Sequence, residues 1–486
     1  MECRTNSDCG QQMDTGSVMS SAAQQQWSVT PIHKRLKILT KARHRMAGMS
    51  AQFAGAISPA LHRSRADTLA AELLPLLDAC RFLERNAAAT LQTRYLGGEG
   101  RPLWLRGVVA EIQRDALGHV LVIGPSNFPL FVPGVQVLQA LAAGNRVTWK
   151  PGTGGGNVAE LVATALNESG LPSGLLSVTS DTVDAAYLAL AEGPDKVIFT
   201  GSAEAGKDVL FKLAETLTPA VMELSGADAV IVLPSADLRR AAKAIAFGLR
   251  LNGAAACISP RRLLATGDTM AALLPSLERE LAAIPTITLS TQTAAVLREL
   301  LDQAVATGAT LLGTWNPAQQ RPLLVASALP TMPVTRSDIF APVLSLFTVS
   351  TVPKIPDVYA ECPYALAVSI FGNQSEARSL ATKLRAGSVV INDLIVPTAD
   401  PRTPFGGRGA SGYGTTRGAE GLLEMTAPKI VTVQHGKSIR NWLPTTAKHE
   451  PLFEGMIRSS HGHAWIERLK GLRQLITASR GIDNKG

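Results

Sequence analysis

Between residues 120 and 233, short apolar β-branched runs alternate with stretches whose apolar residues recur at helical spacing. The runs at 120–123, 147–149, 175–178, 197–199 and 230–233 predict strands. The stretches near 131–143, 157–168, 183–191 and 203–217 predict helices. Such alternation predicts an α/β fold, a parallel sheet covered on both faces. Ligands bind such sheets beyond the carboxyl ends of the strands, so the loops after Ile123, Trp149 and Phe199 are expected to carry function. The segment 120–145 has no formal charge and is long enough to span a bilayer. Pro125, Pro129 and Pro133 would break a spanning helix, so it reads as a buried strand, a turn and a buried helix.

The flanks differ. Residues 1–30 are rich in Ser and Gln and lack periodicity, which predicts a mobile tail. Helical patterns follow to about residue 95, including "LAAELLPLLDACRFLERNAAATL", and "GVVAEIQRDALGHVLVIG" reads as an extended arm running into a strand. A second unit starts near residue 227. In "ADLRRAAKAIAFGLRL", Leu238, Ala241, Ala242, Ile245, Ala246 and Leu249 share one helical face, and Asn252-Gly253 marks the stop. Beyond about 440, "HAWIERLKGLRQLITASR" is a basic amphipathic helix with Trp465 and Leu469 on its apolar face. Packing on the parent fold is its simplest reading. Contact of 464–480 with a membrane surface or a partner subunit is the alternative.

Composition narrows the function classes. The 486 residues are 46% hydrophobic and 18% charged, with a net charge of +8, and suffice for two or three domains. The basic residues are scattered, without a dense Lys/Arg run among aromatics, which argues against a nucleic-acid binder. The five cysteines, Cys3, Cys9, Cys80, Cys257 and Cys362, form no CxxC pair, so neither a disulfide framework nor a zinc site is expected. His461 and His463 lack a third ligand, and no metal is expected there. The opening "MECRTNSDCGQQMDTG" has no basic and apolar leader pattern, and the expected location is a reducing cytoplasm.

The candidate chemistry lies in loops. In "NGAAACIS", Cys257 follows a helix stop among residues almost without side chains, which lets a substrate come close. It is either a nucleophile or an inert filler. A free thiol, with a pKa near ~8.5, needs a base or local positive potential to attack at neutral pH. Glu223, in the apolar run "VMELSG", is a candidate base, since burial raises a carboxyl's pKa; a salt-bridged or edge-facing glutamate is the plain alternative. Asn127 in "GPSNFP" is a candidate oxyanion donor or an ordinary turn asparagine. Lys150 ends a strand before "PGTGGG", where it can meet hydroxyls or phosphates, although the glycines match neither common phosphate-loop pattern. In "FTGSAEAGK", Gly201-Ser202 opens a helix whose free N–H groups suit a phosphate.

The order of these motifs resembles the aldehyde dehydrogenase superfamily. From about residue 100 to 435 they run "GPSNFP", "GNRVTWKP", "FTGSAEAGK", "MELSG", "NGAAACIS", "SDIFAPV" and "PFGGRGASGYG". Glu223 precedes Cys257, and Asn127 precedes Lys150, at the family's intervals. The resemblance implies a Rossmann-like cofactor domain (31–100 and 117–226), a second α/β catalytic domain (227–426) and a small β oligomerisation arm (101–116 and 427–437). The tail (1–30) and a helical extension (438–486) flank them, and a homodimer or homotetramer is implied. Cys257 would attack an aldehyde carbonyl, Asn127 would hold the oxyanion, and Glu223 would activate the water that hydrolyses the thioester. Lys150, Gly201 and Ser202 would hold the dinucleotide, Asp338 its nicotinamide ribose, and Phe340 its ring, while Phe405 would shape the substrate channel.

Departures from the family pattern qualify this. Asp338 replaces the usual glutamate, Ser225 the first glycine of "ELGG", and Thr153 a glutamate that binds ribose hydroxyls in NAD-specific members. Without that carboxylate NAD is the expected cofactor and NADP is tolerated. The interval from Cys257 to Asp338 is shorter than the family's. An acylating, coenzyme A-dependent relative and a non-catalytic binding protein on the same fold are the rival readings. Glu223 argues against the first, and the joint presence of Cys257, Glu223 and Asn127 against the second. The apolar motifs lean towards a hydrophobic aldehyde.

Overall fold

The computed structural model describes residues 15–58, 61, 63–435, 442 and 444–483. The first fourteen residues of the expected tail, with Cys3 and Cys9, lie outside them, as do several residues of the C-terminal extension.

Four of the five predicted strands join a six-stranded sheet, completed by Ala220–Leu224 and Gly412–Tyr413, whereas the fifth, near 230–233, lies in a second sheet. The order of the first sheet is Gly412–Tyr413, Ala220–Leu224, Lys196–Gly201, His119–Ile123, Arg146–Lys150 and Leu176–Val178. All neighbours are parallel except Gly412–Tyr413, which pairs antiparallel with Ala220–Leu224. The helices Phe131–Ala143, Gly156–Asn167, Val183–Ala191 and Ala203–Ala214 alternate with these strands. The uncharged segment is the fully buried strand His119–Ile123 followed by the Phe131–Ala143 helix, buried on nearly every side. No helix among the described residues is long and apolar enough to cross a membrane.

A seven-stranded sheet follows in the order Thr310–Leu312, Leu323–Ala326, Val343–Val349, Pro260–Thr266, Asp228–Val232, Ala367–Phe371 and Ser388–Ile391, parallel but for the first strand. The Leu238–Arg250 helix packs its predicted face, Ala241, Ala242, Ile245, Ala246 and Leu249, into the core, and Asp237 caps it by accepting from the Arg240 N–H at 3.0 Å. Both sheets belong to one compact unit, running to Arg94 and over Gln113–Lys429. The second unit, Tyr95–Ile112 with Ile430–Gly486, holds most of a three-stranded sheet (Arg94–Leu96, Val108–Ala116, Thr426–Gln434) and the helical pair Glu450–His461 and Trp465–Asp483. Trp465 and Leu469 stay exposed on that pair, at 70% and 47%.

The expected tail differs from the structure in its second half. Thr15–Ser28 is a helix, buried Trp27 donates its indole N–H to the Leu141 carbonyl at 2.9 Å, and Gln24 donates to the Gly144 carbonyl. One docked aromatic and one amide order a stretch whose composition signals none.

Candidate active site

Glu223 lies on Ala220–Leu224, next to the edge strand of the sheet, opposite Thr200 on one side and Gly412 on the other. A Cβ at residue 412 would sit 1.9 Å from the Met222 carbonyl oxygen, and its φ is +94°, so only glycine allows this close pairing. The pairing brings in the segment that follows it, and Thr416 Oγ1 donates to Glu223 Oε2 at 3.1 Å. Burial pushes the Glu223 carboxyl above the usual range, while the nearby Arg417 charge and the Thr416 hydroxyl pull it back. That environment suits a proton acceptor working near neutral pH.

Cys257 is held by an unusual turn. After the Leu238–Arg250 helix, Asn252, Gly253 and Ala254 all take left-handed backbone angles, with φ of 53°, 61° and 62°. For the two non-glycine residues this is strained and needs external support. Asn252 Nδ2 donates to the carbonyls of Asn127 and Ala255, both at 3.0 Å, and Arg261 donates to the Ala254 carbonyl at 2.5 Å. The "ELSG" turn packs directly onto the Cys257 backbone: a Cβ on Gly226 would lie 2.6 Å from the Cys257 carbonyl oxygen. The thiol itself is half-buried. Burial drives its pKa well above the free value, and Glu223, Asp228 and Asp338 push it the same way, against Arg417. At rest the sulfur keeps its proton.

The buried Asn127 side chain is fixed at both ends. Its Nδ2 donates to the Ala255 carbonyl at 2.9 Å and its Oδ1 accepts from the Phe128 N–H at 3.0 Å. One amide hydrogen is thereby committed, and the second is available on a side chain that lines the cleft.

Asn127, Glu223 and Cys257 line a single cleft of about 780 Å³, together with Gly201, Ser202, Asp338 and Phe340. At its far end Lys196–Gly201 runs into the Ala203–Ala214 helix, capped by Ser202, whose hydroxyl accepts from the Ala205 N–H at 3.2 Å. Asp338 Oδ1 is buried without a hydrogen-bond partner. Burial raises its pKa and Glu204 adds to this, against Arg261 and the Ser225 side chain. An orphaned acceptor beside a helix N-terminus fits a ligand bearing hydroxyls and phosphates.

Other expected site residues stand apart from this lining. Lys150, buried at the end of Arg146–Lys150, has its pKa lowered by burial against the pull of Asp181, and Thr153 is exposed just beyond it. Phe405 does not line the cleft. It is 3% exposed, and the Arg417 guanidinium sits 4.2 Å above its ring. Thr416, Arg417, Arg261 and the supporting role of Asn252 escape the sequence reading. The available signal was charge in apolar or glycine-rich surroundings, as in "TTRG" and "ISPRR". Among the described residues no three His, Cys, Asp or Glu side chains are grouped to hold a metal ion.

None of these side chains can accept a hydride, whereas a dinucleotide can, and the capped helix and Asp338 share the cleft with a cysteine. The class so defined is an oxidoreductase. The aldehyde dehydrogenase family model matches residues 7–431, and the chain belongs to that family. Oxidation of an aldehyde to the acid with a nicotinamide dinucleotide is the family's general reaction. The chain is 28% identical over 472 residues to a 4,4'-diapolycopene aldehyde oxidase of Methylomonas sp, covering 93% of this chain and 88% of the relative. Among solved structures it is similar to an NAD-dependent aldehyde dehydrogenase from Sinorhizobium meliloti, with a TM-score of 0.79 and 26% identity over 86% of this chain and 87% of the other. An NADP-dependent glyceraldehyde-3-phosphate dehydrogenase from Bacillus halodurans, complexed with NADP, gives a TM-score of 0.79 and 25% identity over 87% and 90%.

Proposed function

We propose that the chain oxidises a hydrophobic aldehyde to the carboxylic acid through a thioester on Cys257, with NAD as the preferred cofactor and NADP tolerated. The observation that carries this reading is the shared cleft of Cys257, Glu223 and Asn127 with the Ser202-capped helix and the unpartnered Asp338 oxygen. The raised pKa of Glu223 lets it take the Cys257 proton, and the sulfur then bonds to the aldehyde carbon. The second Asn127 Nδ2 hydrogen and the Cys257 N–H stabilise the resulting oxyanion. A bound nicotinamide dinucleotide supplies the hydride acceptor. Glu223 gives that first proton up to solvent, then takes one from water as its oxygen attacks the thioester; the C–S bond breaks, the acid leaves, and the proton on Glu223 returns to the Cys257 thiolate.

The dinucleotide would be held by Ser202 and Gly201 at the helix end, Lys150 at its strand end and Asp338 at the nicotinamide ribose, with Phe340 near the ring. Thr153 brings no charge against a 2′-phosphate. Hydrolysis is favoured over transfer to coenzyme A by the buried carboxylate, which an acylating enzyme does not need. The apolar substrate class draws support from the relative named for 4,4'-diapolycopene aldehyde. The domain boundaries expected above, a cytoplasmic setting and a homodimer or homotetramer joined through the three-stranded arm complete the proposal; the arm's exposed Ile430 and Val433 support it. The exposed Trp465 and Leu469 keep a membrane-surface role for 464–480 in view.

Replacing Cys257→Ala tests the core of the reading. Aldehyde oxidation is expected to disappear while dinucleotide affinity, measured by fluorescence titration, stays nearly unchanged. Turnover that persists removes Cys257 from the nucleophile's role.

A further inference from the structure

Arg417 is an interior cation. It is 9% exposed, and among the described residues it has no carboxylate within 4.0 Å. An unpaired charge in such a place is costly unless other groups compensate. Its supports are explicit. Nη1 donates to the Thr398 carbonyl at 2.5 Å, and the guanidinium lies 4.2 Å from the Phe405 ring centroid and 5.4 Å from that of Phe131. The backbone at this residue is left-handed, with φ of +62°, where it begins the Gly418–Leu423 helix. The chain is therefore bent so that the side chain goes inwards.

The preceding residue shows what the bend serves. Thr416 holds Glu223 Oε2 at 3.1 Å, so one turn delivers both a hydrogen bond and a nearby positive charge to the candidate base. The Arg417 charge pulls the pKa values of both Glu223 and Cys257 down, against the burial that raises them. The remaining charges around the sulfur are Glu223, Asp228 and Asp338, all acidic, with Arg261 facing Asp338, Asp228 and Cys257, and Arg262 facing Asp228. Arg417 is thus the cation that faces both the nucleophile and the base.

We propose that Arg417 is a positioning residue: braced on Phe405 and the Thr398 carbonyl, in the turn whose Thr416 holds Glu223, it directs a fixed positive charge at the base and the nucleophile. The inference rests on Cys257 as nucleophile and Glu223 as base. Phe405, expected in the substrate channel, instead lies beneath this cation and supports it.

The test uses the whole free enzyme and needs no turnover. Alkylation of Cys257 by iodoacetamide is followed against pH by peptide mass spectrometry in the parent, Arg417→Gln and Arg417→Lys proteins. Loss of the charge is expected to slow alkylation about tenfold at neutral pH and to move its inflection to higher pH, whereas lysine restores a profile close to the parent's. Parent and Arg417→Gln profiles that superimpose overturn the inference and leave the nucleophile untouched. If Arg417→Gln does not fold, Phe405→Leu is measured instead, with a smaller shift expected in the same direction; an unchanged profile there overturns the inference equally. In steady state, Arg417→Gln is expected to lower kcat with little change in the KM for NAD, and an effect confined to KM counts against it. Cys257→Ala that still turns over is a different failure, because it removes the proposed function itself.

Discussion

Two buried glutamates lie in the same unit and do opposite work. Glu72 sits in a π-helical turn, Leu69–Leu73, that opens the long helix Leu74–Leu91. Its Oε1 pairs with Arg63 at 2.8 Å, both side chains being 1% exposed or less, and its Oε2 accepts from the N–H groups of Leu130 and Phe131 at 3.1 and 2.7 Å. Arg63 passes the constraint on, donating to the Asn127 carbonyl at 3.3 Å and lying over the Phe128 ring. Glu223 is also buried, yet among the described residues it has one hydroxyl donor and no paired cation. A carboxylate with both oxygens engaged by a cation and two backbone N–H groups is a strut that fixes the asparagine loop. One left partly unoccupied beside a cleft can exchange a proton. Burial alone does not separate the two, since it raises both pKa values; the partners do.

The largest expected effect is on turnover. Glu223→Gln should lower steady aldehyde oxidation about 10²- to 10⁴-fold, the range for a lost general base. Because the proposal has Glu223 also take the Cys257 proton, the burst of reduced dinucleotide in stopped-flow traces should slow as well; a burst at the parent's rate confines Glu223 to hydrolysis. Glu72→Gln should instead cost about 3–5 kcal/mol of stability, because it strands the buried Arg63 charge. Chemical denaturation measures this, and a midpoint equal to the parent's erases the distinction between the two sites.

The next effect is smaller and has a definite sign. The folded state raises the Glu223 pKa, so its contribution to stability is fully present below the unfolded value and lost as pH rises through the folded one. The neutral Glu223→Gln should therefore melt higher than the parent at alkaline pH, with the gain fading towards acid. A Tm difference that grows towards acid contradicts this. The least effect is expected from Asp338→Asn: weaker NAD binding, read by calorimetry, with stability held or slightly raised by removal of an unpartnered carboxylate oxygen.

How much of this was legible in the sequence follows from distance along the chain. Most strands and helices between 120 and 233 are local patterns and lie within a few residues of where periodicity puts them, although Ala220–Leu224 was not among the predicted strands. Cys257, Glu223 and Asn127 could be singled out because each stands in a short motif with its own chemistry. Thr416 and Arg417 could not, because their meaning comes from Gly412–Tyr413 pairing with a strand nearly two hundred residues earlier. The helix Thr15–Ser28 was hidden for a similar reason, as its partner atoms belong to Leu141 and Gly144. Phe405 carried the right motif, yet the arginine above it gives it a different neighbour.

The Thr416 hydroxyl has one more result for the reaction. With Oε2 of Glu223 tethered, the proposed hydrolysis would draw its water to Oε1, and an aldehyde whose chain crowds that oxygen would be oxidised quickly yet linger on the sulfur.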